Sequence, residues 1–574
     1  MNSDLHKALI TGAERLAAWA DLLDHINVFP VADGDTGRNM VTSLSALKQA
    51  DPDRKGMARK LLFSARGNSG NIAARFIAGL LTADSLAFLP PAMKSGRDMA
   101  WQAIHSPVHG TMLDVLDALV ESVHKEPMQE ILSNSSGIIN HLETVVKSTR
   151  ERLPKLKAAE VVDAGALGMF LFLEGFLLCL ANSTEVLQPV TLRFKGFLDI
   201  SSAFNEPRDD KYCVDMVVRL NEGQGEQVHR LSEHGESIVV IPHDDFFKVH
   251  LHTGNTKNTR EEIEKFCSVV QWEEESLDKQ IEAFSPIQSQ RCIHIMTDAA
   301  GSITRENAHH LGITLLDSYI TAGDKTLPET LFSPEELYRT MRSGVKVSSS
   351  QASLFERNQY YQSVLDRYEK VLYLCVGSVY TGNYQAAIKW KEENDPDDRF
   401  TVIDSGAASG RLGTIVLATE RFAVGTENPD AVIQFAKNAT EICEEYVFLD
   451  KLHYLAAGGR LSKPSAFFGD LLHMKPVITP LATGAEKAAV VRNLKEQRRF
   501  ALRKLSNVFN RSSRPLIMLQ YTDNQEMVEN LIKKEIEEHY PFAQILLQPL
   551  SLTSGVHMGP GTWSLAFIPE MVKQ

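Results

Sequence analysis

The chain has 574 residues, 43% of them hydrophobic and 23% charged, with a formal net charge of −13 at pH 7. This length is too great for a single hydrophobic core, so we expect about three or four domains. The acidic balance and the lack of a basic tract argue against a nucleic-acid partner. The six cysteines have no disulfide-like spacing, which fits a reducing compartment and predicts a cytoplasmic protein.

Residues 1–183 predict helices almost throughout. Helical periodicity recurs in Met57–Ser64, Gly70–Ala83, Met112–His124 and Ile131–Ser148. The first helix is amphipathic and unlike a signal peptide. The most apolar stretch, residues 165–181, carries Glu174 near its middle. It therefore predicts a buried helix and not a transmembrane segment.

A glycine-punctuated loop near the N-terminus carries Asp33 and Asp35 two positions apart. Hard carboxylate ligands at this spacing suit Mg²⁺, which takes the rest of its shell from water and phosphates. Thr36 is placed to cap the following helix, while Gly34 and Gly37 let backbone N–H groups approach an anion. The loop predicts a Mg-nucleotide site. The alternative is an Asx-rich turn that joins two helices.

Further glycine-bearing loops follow at residues 65–70, 107–112 and 161–168. A Gly-x-Ser-Gly turn at the start of a helix can hold a phosphate through its N–H groups and hydroxyl, although such a sequence is more often a simple turn. Several such loops in one helical segment, one of them with paired aspartates, indicate a phosphate site more strongly together.

These loops resemble a known family when taken in order. The matching segments are Asp-Gly-Asp-Thr-Gly-x-Asn-Met, Gly-Asn-Ser-Gly, Pro-Val-x-Gly-Thr and Val-Asp-Ala-Gly, which begin at residues 33, 67, 107 and 162. They are similar to the nucleotide-binding L domain of dihydroxyacetone kinases and, more closely, to the catalytic subunit of bacterial fatty acid kinases. The resemblance implies an all-α barrel of antiparallel helices that holds Mg-ATP at one end.

The same resemblance implies residue roles. Mg²⁺ would be held by Asp33 and Asp35, with Asn27 as a neighbouring candidate ligand. Nucleotide binding would fall to Thr36, Asn39, Asn68, Ser69, Gly110, Thr111, Met112, Asp163 and Gly165. Two residues depart from the family pattern: His109 replaces the usual Glu, and Arg38 replaces a common Thr.

Residues 184–286 change in character and predict an α+β middle domain. Runs of β-branched or alternating residues at 212–220, 237–242 and 246–253 predict strands. His250 and His252 lie on one face of the last strand and could form a zinc set with Cys213, although simple packing is the alternative. The charge-rich segment 272–284 predicts a helical linker.

The middle segment also resembles the fatty acid kinase catalytic subunit. Its Tyr-Cys-x-Asp, Gly-Glu-Ser-Ile-Val-Val and His-x-His-Thr sequences begin at residues 212, 235 and 250. They are similar to that subunit's middle domain, which implies that Cys213, His250 and His252 bind a metal ion, with Zn²⁺ the expected metal.

From residue 291 onward, strands alternate with helices. Strands are predicted at 292–297, 371–376, 400–403, 515–520 and 544–547, and helices at 334–342, 354–367 and 382–393. The alternation predicts crossover units and a parallel sheet, whose ligands bind beyond the carboxyl ends of the strands. Hydroxyl-rich loops lie at residues 348–353, 377–384 and 404–406.

This region resembles the DegV family of fatty-acid-binding proteins, which serve as acyl-carrying partners of fatty acid kinase. The resemblance implies a two-lobed α/β domain and a carboxylate site that contains Ser349, Ser350, Ser378, Thr381, Gly382 and His557. It places Arg460 near the transferring phosphate or a docking surface, so Arg460 and His557 join the two aspartates as candidate catalytic residues. Tyr380 and Asn383 depart from the family pattern.

The expected organisation is therefore a helical barrel over 1–183, a metal-binding middle domain over 184–286, and a DegV-like domain over 287–574 with lobes at about 287–448 and 449–574. The expected activity is ATP-dependent phosphorylation of a fatty acid carboxylate by a homodimer. A transient contact with a membrane or an acyltransferase stays open. The alternatives are a non-catalytic fatty-acid-binding regulator that senses ATP, and a dihydroxyacetone-type kinase of small molecules.

Overall fold

In a computed structural model, the chain divides into two units, Met1–Ser285 and Pro286–Gln574. The structure describes residues 3–49, 53–124, 126–183, 185, 187–204, 211–221, 230–231, 233–277, 291–457 and 475–569. In this part of the chain, none of the helices combines the length and apolarity that a membrane crossing requires.

The front of the first unit is helical, as predicted. Its helices are α1 Ser3–Ala17, α2 Ala20–His25, α3 Thr36–Leu44, α4 Arg54–Ser64, α5 Gly67–Leu80, α6 Leu89–Gln102, α7 Met112–Val123, α8 Met128–Ser133, α9 Ser135–Arg152, α10 Pro154–Ala159, α11 Ala164–Leu180 and α12 Val190–Arg193. Helix α11 is buried along nearly its whole length and packs against α1. Its Glu174 forms a buried ion pair with Arg15 at 2.9 Å and contacts Arg193, so this charge is paired inside the core.

An antiparallel sheet follows in the same unit. Its strands are β1 Tyr212–Leu220, β2 Glu236–His243, β3 Phe246–Thr253 and β4 Cys267–Ser276, in the order β2-β3-β1-β4, with α13 Thr256–Glu264 before the last strand. Backbone hydrogen bonds tie the sheet to the end of α6: the Val240 N–H donates to the Ala103 carbonyl at 2.9 Å. Leu62, Val239 and Ile241 pack there, so the sheet rests on the helices.

The prediction of a helix from residue 272 is wrong for its first part. Residues 272–276 belong to β4, which pairs with β1 along its length. Pairing with a buried neighbouring strand outweighs the helix propensity of the glutamate run at 273–275. The remainder of the predicted linker, from residue 278, lies outside the described residues.

The second unit begins with alternating strands and helices. They are β5 His294–Asp298, α14 Arg305–Leu311, β6 Thr314–Leu316, β7 Ser318–Ala322, β8 Lys325–Pro328, α15 Pro334–Arg342, β9 Val347–Gln351, α16 Leu354–Arg367, β10 Val371–Cys375, α17 Asn383–Asn394, β11 Phe400–Asp404, α18 Ser409–Val424 and α19 Pro429–Ile442. Strands β11, β10, β5 and β6 form the predicted parallel sheet in that order, while β8-β7-β9 form a small antiparallel sheet.

The rest of the second unit builds a mixed sheet. It contains β12 Glu444–Phe448, α20 His453–Ala457, β13 Lys475–Leu481, β14 Gly484–Val491, α21 Leu494–Ser506, β15 Leu516–Tyr521, α22 Gln525–Met527, a π-helical stretch Val528–Lys533, α23 Lys534–His539, β16 Gln544–Pro549, α24 Leu552–Met558 and β17 Trp563–Ile568. The strand order is β14-β13-β12-β17-β15-β16. Helix α18 joins this sheet to the parallel sheet through a shared apolar core.

Candidate functional site

A polar cleft of about 310 Å³ lies in the first unit. Its lining comes from the loop before α3, the start of α5 and strand β3. The lining residues are Asn27, Phe29, Pro30, Asp33, Asp35, Thr36, Asn39, Gly67, Asn68, Ser69, His250 and His252. The structure thus brings together the paired aspartates, the predicted phosphate loop and both histidines of the middle segment.

Asp33 and Asp35 are buried side by side in this cleft. Burial and the neighbouring Asp35 charge raise the pKa of Asp33 well above its usual range, and Arg38 only partly opposes them. Asn27 donates a side-chain N–H to Asp33, while its buried Oδ1 has no hydrogen-bond partner among the described residues. Two crowded carboxylates and a spare amide oxygen fit a hard divalent cation such as Mg²⁺.

The start of α3 differs from the prediction. Thr36 is the first helical residue and its side chain does not cap the helix; instead Asp24 Oδ1 accepts the Gly37 N–H at 2.6 Å and the Arg38 N–H at 3.1 Å. A Cβ at Gly37 would lie 2.1 Å from the Ala20 carbonyl oxygen. The expected caps and anion-binding N–H groups are therefore wrong here, because a side chain from the preceding helix takes the N–H groups and Gly37 serves close helix packing.

Helix α5 begins at the predicted Gly-x-Ser-Gly turn. Gly67 has φ +57°, and a Cβ there would lie 2.3 Å from Asn39 Nδ2. The two residues that follow, Asn68 and Ser69, line the cleft. A Cβ on Gly165 would lie 3.0 Å from Ser69 Oγ, so the start of α11 approaches this turn closely.

The other two predicted loops are organised by their own hydrogen bonds. Asp114 accepts the Gly110 N–H at 2.6 Å and pairs with His109 Nδ1 at 2.7 Å and Arg152 Nη1 at 2.7 Å. Thr111 caps α7 through the Leu113 N–H, and Asp163 caps α11 through the Ala166 N–H at 2.7 Å. Gly110, Thr111, Met112 and Asp163 are not among the residues that line the cleft.

The Asp163 carboxyl has a shifted pKa. Burial, with a contribution from the Asp114 charge, raises it to about 7, although hydrogen bonds from the backbone oppose the shift. A cap that is half protonated near neutral pH contributes less to the helix start than a full carboxylate.

Cys213, His250 and His252 form a buried cluster whose potential ligand atoms all lie within 4.8 Å of one another. His250 Nε2 is buried and has no hydrogen-bond partner among the described residues. Burial and His250 lower the pKa of His252 to about 3, so this imidazole is neutral and free to ligate. Burial and nearby carboxylates raise the pKa of the Cys213 thiol, so thiolate ligation needs a cation. The donor set fits Zn²⁺.

In the second unit, Ser349 and His557 lie together. Ser349 Oγ is 3.2 Å from His557 Nε2, which places the β9 hydroxyl against the imidazole on α24. Glu329 accepts the Thr553 N–H and hydroxyl, each at 3.0 Å, and so holds the first turn of the same helix. Ser350 is exposed and lies beside this pair on β9.

The loop with Ser378, Thr381 and Gly382 is held from below. The Ser378 N–H donates to Asp404 Oδ1 at 3.0 Å, and Thr381 Oγ1 accepts the Asn383 N–H at 3.3 Å. Tyr380, a departure from the family pattern, donates its hydroxyl to the Leu481 carbonyl at 2.9 Å, so it supports the fold.

Two residues that the sequence did not single out connect these loops. Asp298, at the end of β5, accepts hydrogen bonds from Tyr373, the Val376 N–H and Asn383. Arg357 donates to Gln351 and to Asn383, which ties the 348–353 loop to the 377–384 loop. An acidic residue at the end of a buried strand is a usable sequence signal, whereas a mid-helix arginine is not. Arg460 lies outside the described residues.

Comparison with protein families finds three matching models. Residues 30–178 match a DAK2 domain, 209–284 match the middle domain of the A-like subunit of fatty acid kinase, and 292–570 match the uncharacterised DegV family.

Curated relatives match less than half of this chain. An uncharacterized protein of Staphylococcus saprophyticus is 32% identical over 273 residues, which are 43% of this chain and 49% of the relative. Protein YloV of Bacillus subtilis is 30% identical over 302 residues, which are 47% of this chain and 54% of the relative. The chain thus spans only about half of the length of these relatives.

Solved structures also match about half of this chain. A fatty-acid-binding DegV family protein from Thermus thermophilus is 24% identical and is covered completely by 49% of this chain, with a TM-score of 0.45. DegV, a fatty acid binding protein from Bacillus subtilis, is 20% identical with the same coverage and a TM-score of 0.44. The family models together show that this chain joins a DAK2 domain, a middle domain of the fatty acid kinase type and a DegV-family domain in one polypeptide.

Proposed function

We propose that this chain is an ATP-dependent fatty acid kinase that carries its nucleotide site and its acyl-binding site in one polypeptide. The observation that carries the proposal is the cleft that unites Asp33, Asp35 and the free Asn27 Oδ1 with the start of α5. We assign it to a helical barrel over residues 1–183, followed by the middle domain at 184–286 and the acyl-binding domain at 287–574.

The nucleotide would lie with its phosphates over the start of α5. Asp33 and Asp35, with Asn27, would hold Mg²⁺, while Asn39, Asn68 and Ser69 donate hydrogen bonds to phosphate oxygens. When bound, Mg²⁺ neutralises phosphate charge and bridges the phosphate oxygens. The remaining predicted residues of the 110–112 and 163–165 loops would border the base.

The acceptor chemistry is simple. A carboxylate oxygen attacks the γ-phosphorus, the bond from that phosphorus to the β–γ bridging oxygen breaks, and ADP leaves with the electron pair. Since the carboxylate is already a nucleophile, the site needs positioning and charge stabilisation and no general base. Ser349, Ser378 and His557 would orient the carboxylate. Arg460 would contact the transferring phosphate or a docking surface.

The acyl chain would supply affinity. Burial of about 14 methylene groups at ~0.8 kcal/mol each amounts to roughly 10 kcal/mol before the costs of binding. Having both sites in one chain raises the effective concentration of the bound acid to roughly the millimolar range, within one chain or across a homodimer.

The middle domain would bind zinc through Cys213, His250 and His252. The support is that these residues are buried together and that two of them line the nucleotide cleft. A cation there would offset the charge of the two aspartates nearby, whose carboxylates contribute to the raised pKa of Cys213.

The test is an acyl hydroxamate assay on the purified chain with ATP, Mg²⁺ and palmitate. We expect product from the wild type and from Asp84→Ala, which removes a surface carboxylate in the same unit. We expect none from Asp33→Ala or Asp35→Ala, although both retain palmitate binding. ATP binding without any product in the wild type would instead favour the regulatory, ATP-sensing alternative.

A further inference from the structure

Asp215 on β1 is a buried carboxylate that contacts both parts of the cleft wall. Its Oδ2 accepts the Gly67 N–H at 3.1 Å and lies 3.3 Å from His250 Nδ1. Its Oδ1 accepts a hydrogen bond from Asn71 Nδ2 at 3.3 Å and lies 3.5 Å from Lys248 Nζ. One side chain thus contacts the first turn of α5 and the middle strand of the sheet.

The strand geometry explains this convergence. Asp215 is paired in register with His250 on β3, and Lys248 lies two residues before that histidine on the same face. Cys213 lies two residues before Asp215 and faces the same way. Ligand candidates and the ion pair therefore share the face of the sheet that meets the helices.

The ion pair is internally balanced. The Lys248 side chain is fully buried, and burial lowers its pKa while Asp215 opposes that shift. Burial alone would raise the pKa of Asp215, but Lys248 and His250 outweigh it and the net shift is downward. Removal of one partner alone would leave an uncompensated buried charge, which typically costs 3–5 kcal/mol, so roughly that range applies here.

The carboxylate is placed for two tasks. A contact to Nδ1 fixes the orientation of the His250 ring and leaves Nε2, which has no hydrogen-bond partner among the described residues, for a cation. The bond to the Gly67 N–H fixes a residue with φ +57° at the point where Asn68 and Ser69 enter the cleft.

We propose that Asp215 is a positioning residue that couples cation binding at Cys213, His250 and His252 to nucleotide binding at the start of α5. This inference rests on the proposed function, since it assumes that both ligands bind. Coupling between two binding sites is reciprocal, so a cation that orders His250 improves nucleotide affinity and the nucleotide improves cation affinity by the same factor.

The test compares the double variant D215N/K248M, which removes the buried pair together, with R219M/D245N, which removes an exposed ion pair from the same sheet. Zn²⁺ affinity is measured by chelator competition. The affinity for Mg²⁺ with a non-hydrolysable ATP analogue is measured by calorimetry, with and without Zn²⁺. These readouts need no turnover.

In the wild type and in R219M/D245N, we expect Zn²⁺ to tighten analogue binding by about fivefold or more. In D215N/K248M, we expect that ratio to fall to about one and the Zn²⁺ affinity to fall by about 10–100-fold. A merely structural role would weaken both ligands and leave the ratio intact, which would overturn the inference.

A second variant covers a failure of the double variant to fold. Asn71→Ala removes the Asn71 contact to Asp215 without touching the sheet, and we expect it to reduce the coupling ratio by at least about half while Zn²⁺ affinity without nucleotide is retained. An unchanged ratio in Asn71→Ala, or no coupling in a wild type that makes acyl phosphate, contradicts the role of Asp215 alone. A wild type that binds neither Zn²⁺ nor the analogue contradicts the proposed function itself.

Discussion

The cleft of the first unit and the loop cluster of the second handle buried charge in opposite ways. The cleft places Asp33 beside Asp35, so the pKa of Asp33 rises through burial and mutual repulsion. In the loop cluster, Asp298 and Glu329 are each surrounded by hydrogen-bond donors, and the residues that face the candidate ligand are neutral hydroxyls and an imidazole. The first site requires a cation to be at rest, whereas the second is complete without one.

This difference suggests how the two sites work. Like charges held apart from water favour any state in which a cation binds, so the cleft gains stability on binding its ligand. A hydroxyl and an imidazole that already share a hydrogen bond are preorganised for a carboxylate and need little rearrangement. The predictions below test this contrast.

The largest effect is expected at the paired aspartates. Asp35→Asn removes one Mg²⁺ ligand and relieves repulsion, so we expect acyl phosphate formation to fall by at least about 10³-fold. The same variant should lose most of the Mg²⁺-dependent rise in melting temperature, measured by calorimetry with Asp84→Ala as the control. A Mg²⁺-dependent rise equal to that of the wild type would show that Asp35 does not ligate the ion.

A slightly smaller effect is expected at the buried cysteine of the cluster. Cys213→Ser replaces a thiolate donor, so we expect Zn²⁺ affinity to fall by about a hundredfold, measured by chelator competition and elemental analysis. Cys267→Ser is the matched control, because Cys267 is also buried in this sheet but lies outside the cluster. Equal zinc content in both variants would remove Cys213 from the site.

The pH dependence of stability should reveal the buried acid that holds α24. Burial raises the pKa of Glu329 to about 8, against a usual value of 4.5. The folded state therefore keeps this proton to a higher pH than the unfolded state does, so the free energy of unfolding should fall as pH rises from 4.5 toward 8.

Glu329→Gln should flatten that dependence, measured by denaturant unfolding of the full-length chain at several pH values. Above pH 8 we expect the variant to be more stable than the wild type by roughly 3 kcal/mol, and near pH 4.5 we expect the two to be similar. A parallel decline in both proteins would assign the pH dependence to other groups.

The smallest effect is expected in the preorganised pair. Ser349→Ala and His557→Ala should each weaken palmitate binding by about tenfold, and the double variant should lose less than the product of the two because they share one hydrogen bond. Ser343→Ala, in an exposed turn after α15, is the control. Fully additive losses, measured by titration calorimetry, would mean that the pair does not act together.

Much of the fold could be predicted from local pattern. Helical periodicity and the apolar run at 165–181 anticipated α11, and alternation with β-branched residues anticipated β1 and β3. Strand β4 was missed because its glutamates favour a helix locally, and only pairing with β1 makes it a strand. The helix α9 begins at Ser135, after a break at Asn134 that periodicity alone does not show.

The candidate site was predictable where residues cluster in sequence and less so where they converge in space. The loop at 33–36, the turn at 67–70 and the histidines of β3 meet in one cleft. The roles of Asp24, Asp215 and Arg357 depend on contacts across 13, 148 and 26 positions, respectively. No local pattern encodes such distances, which is why the cap of α3 was assigned to the wrong side chain.

The cleft wall shared by α5 and β3 limits how this protein can be recombined with its relatives. A chimera joined after residue 204 would pair the phosphate turn of one parent with the histidines and Asp215 of another. A chimera joined between Ser285 and Pro286 keeps every one of these partners together. Exchange of segments, in the laboratory or in evolution, should therefore tolerate the second junction and reject the first.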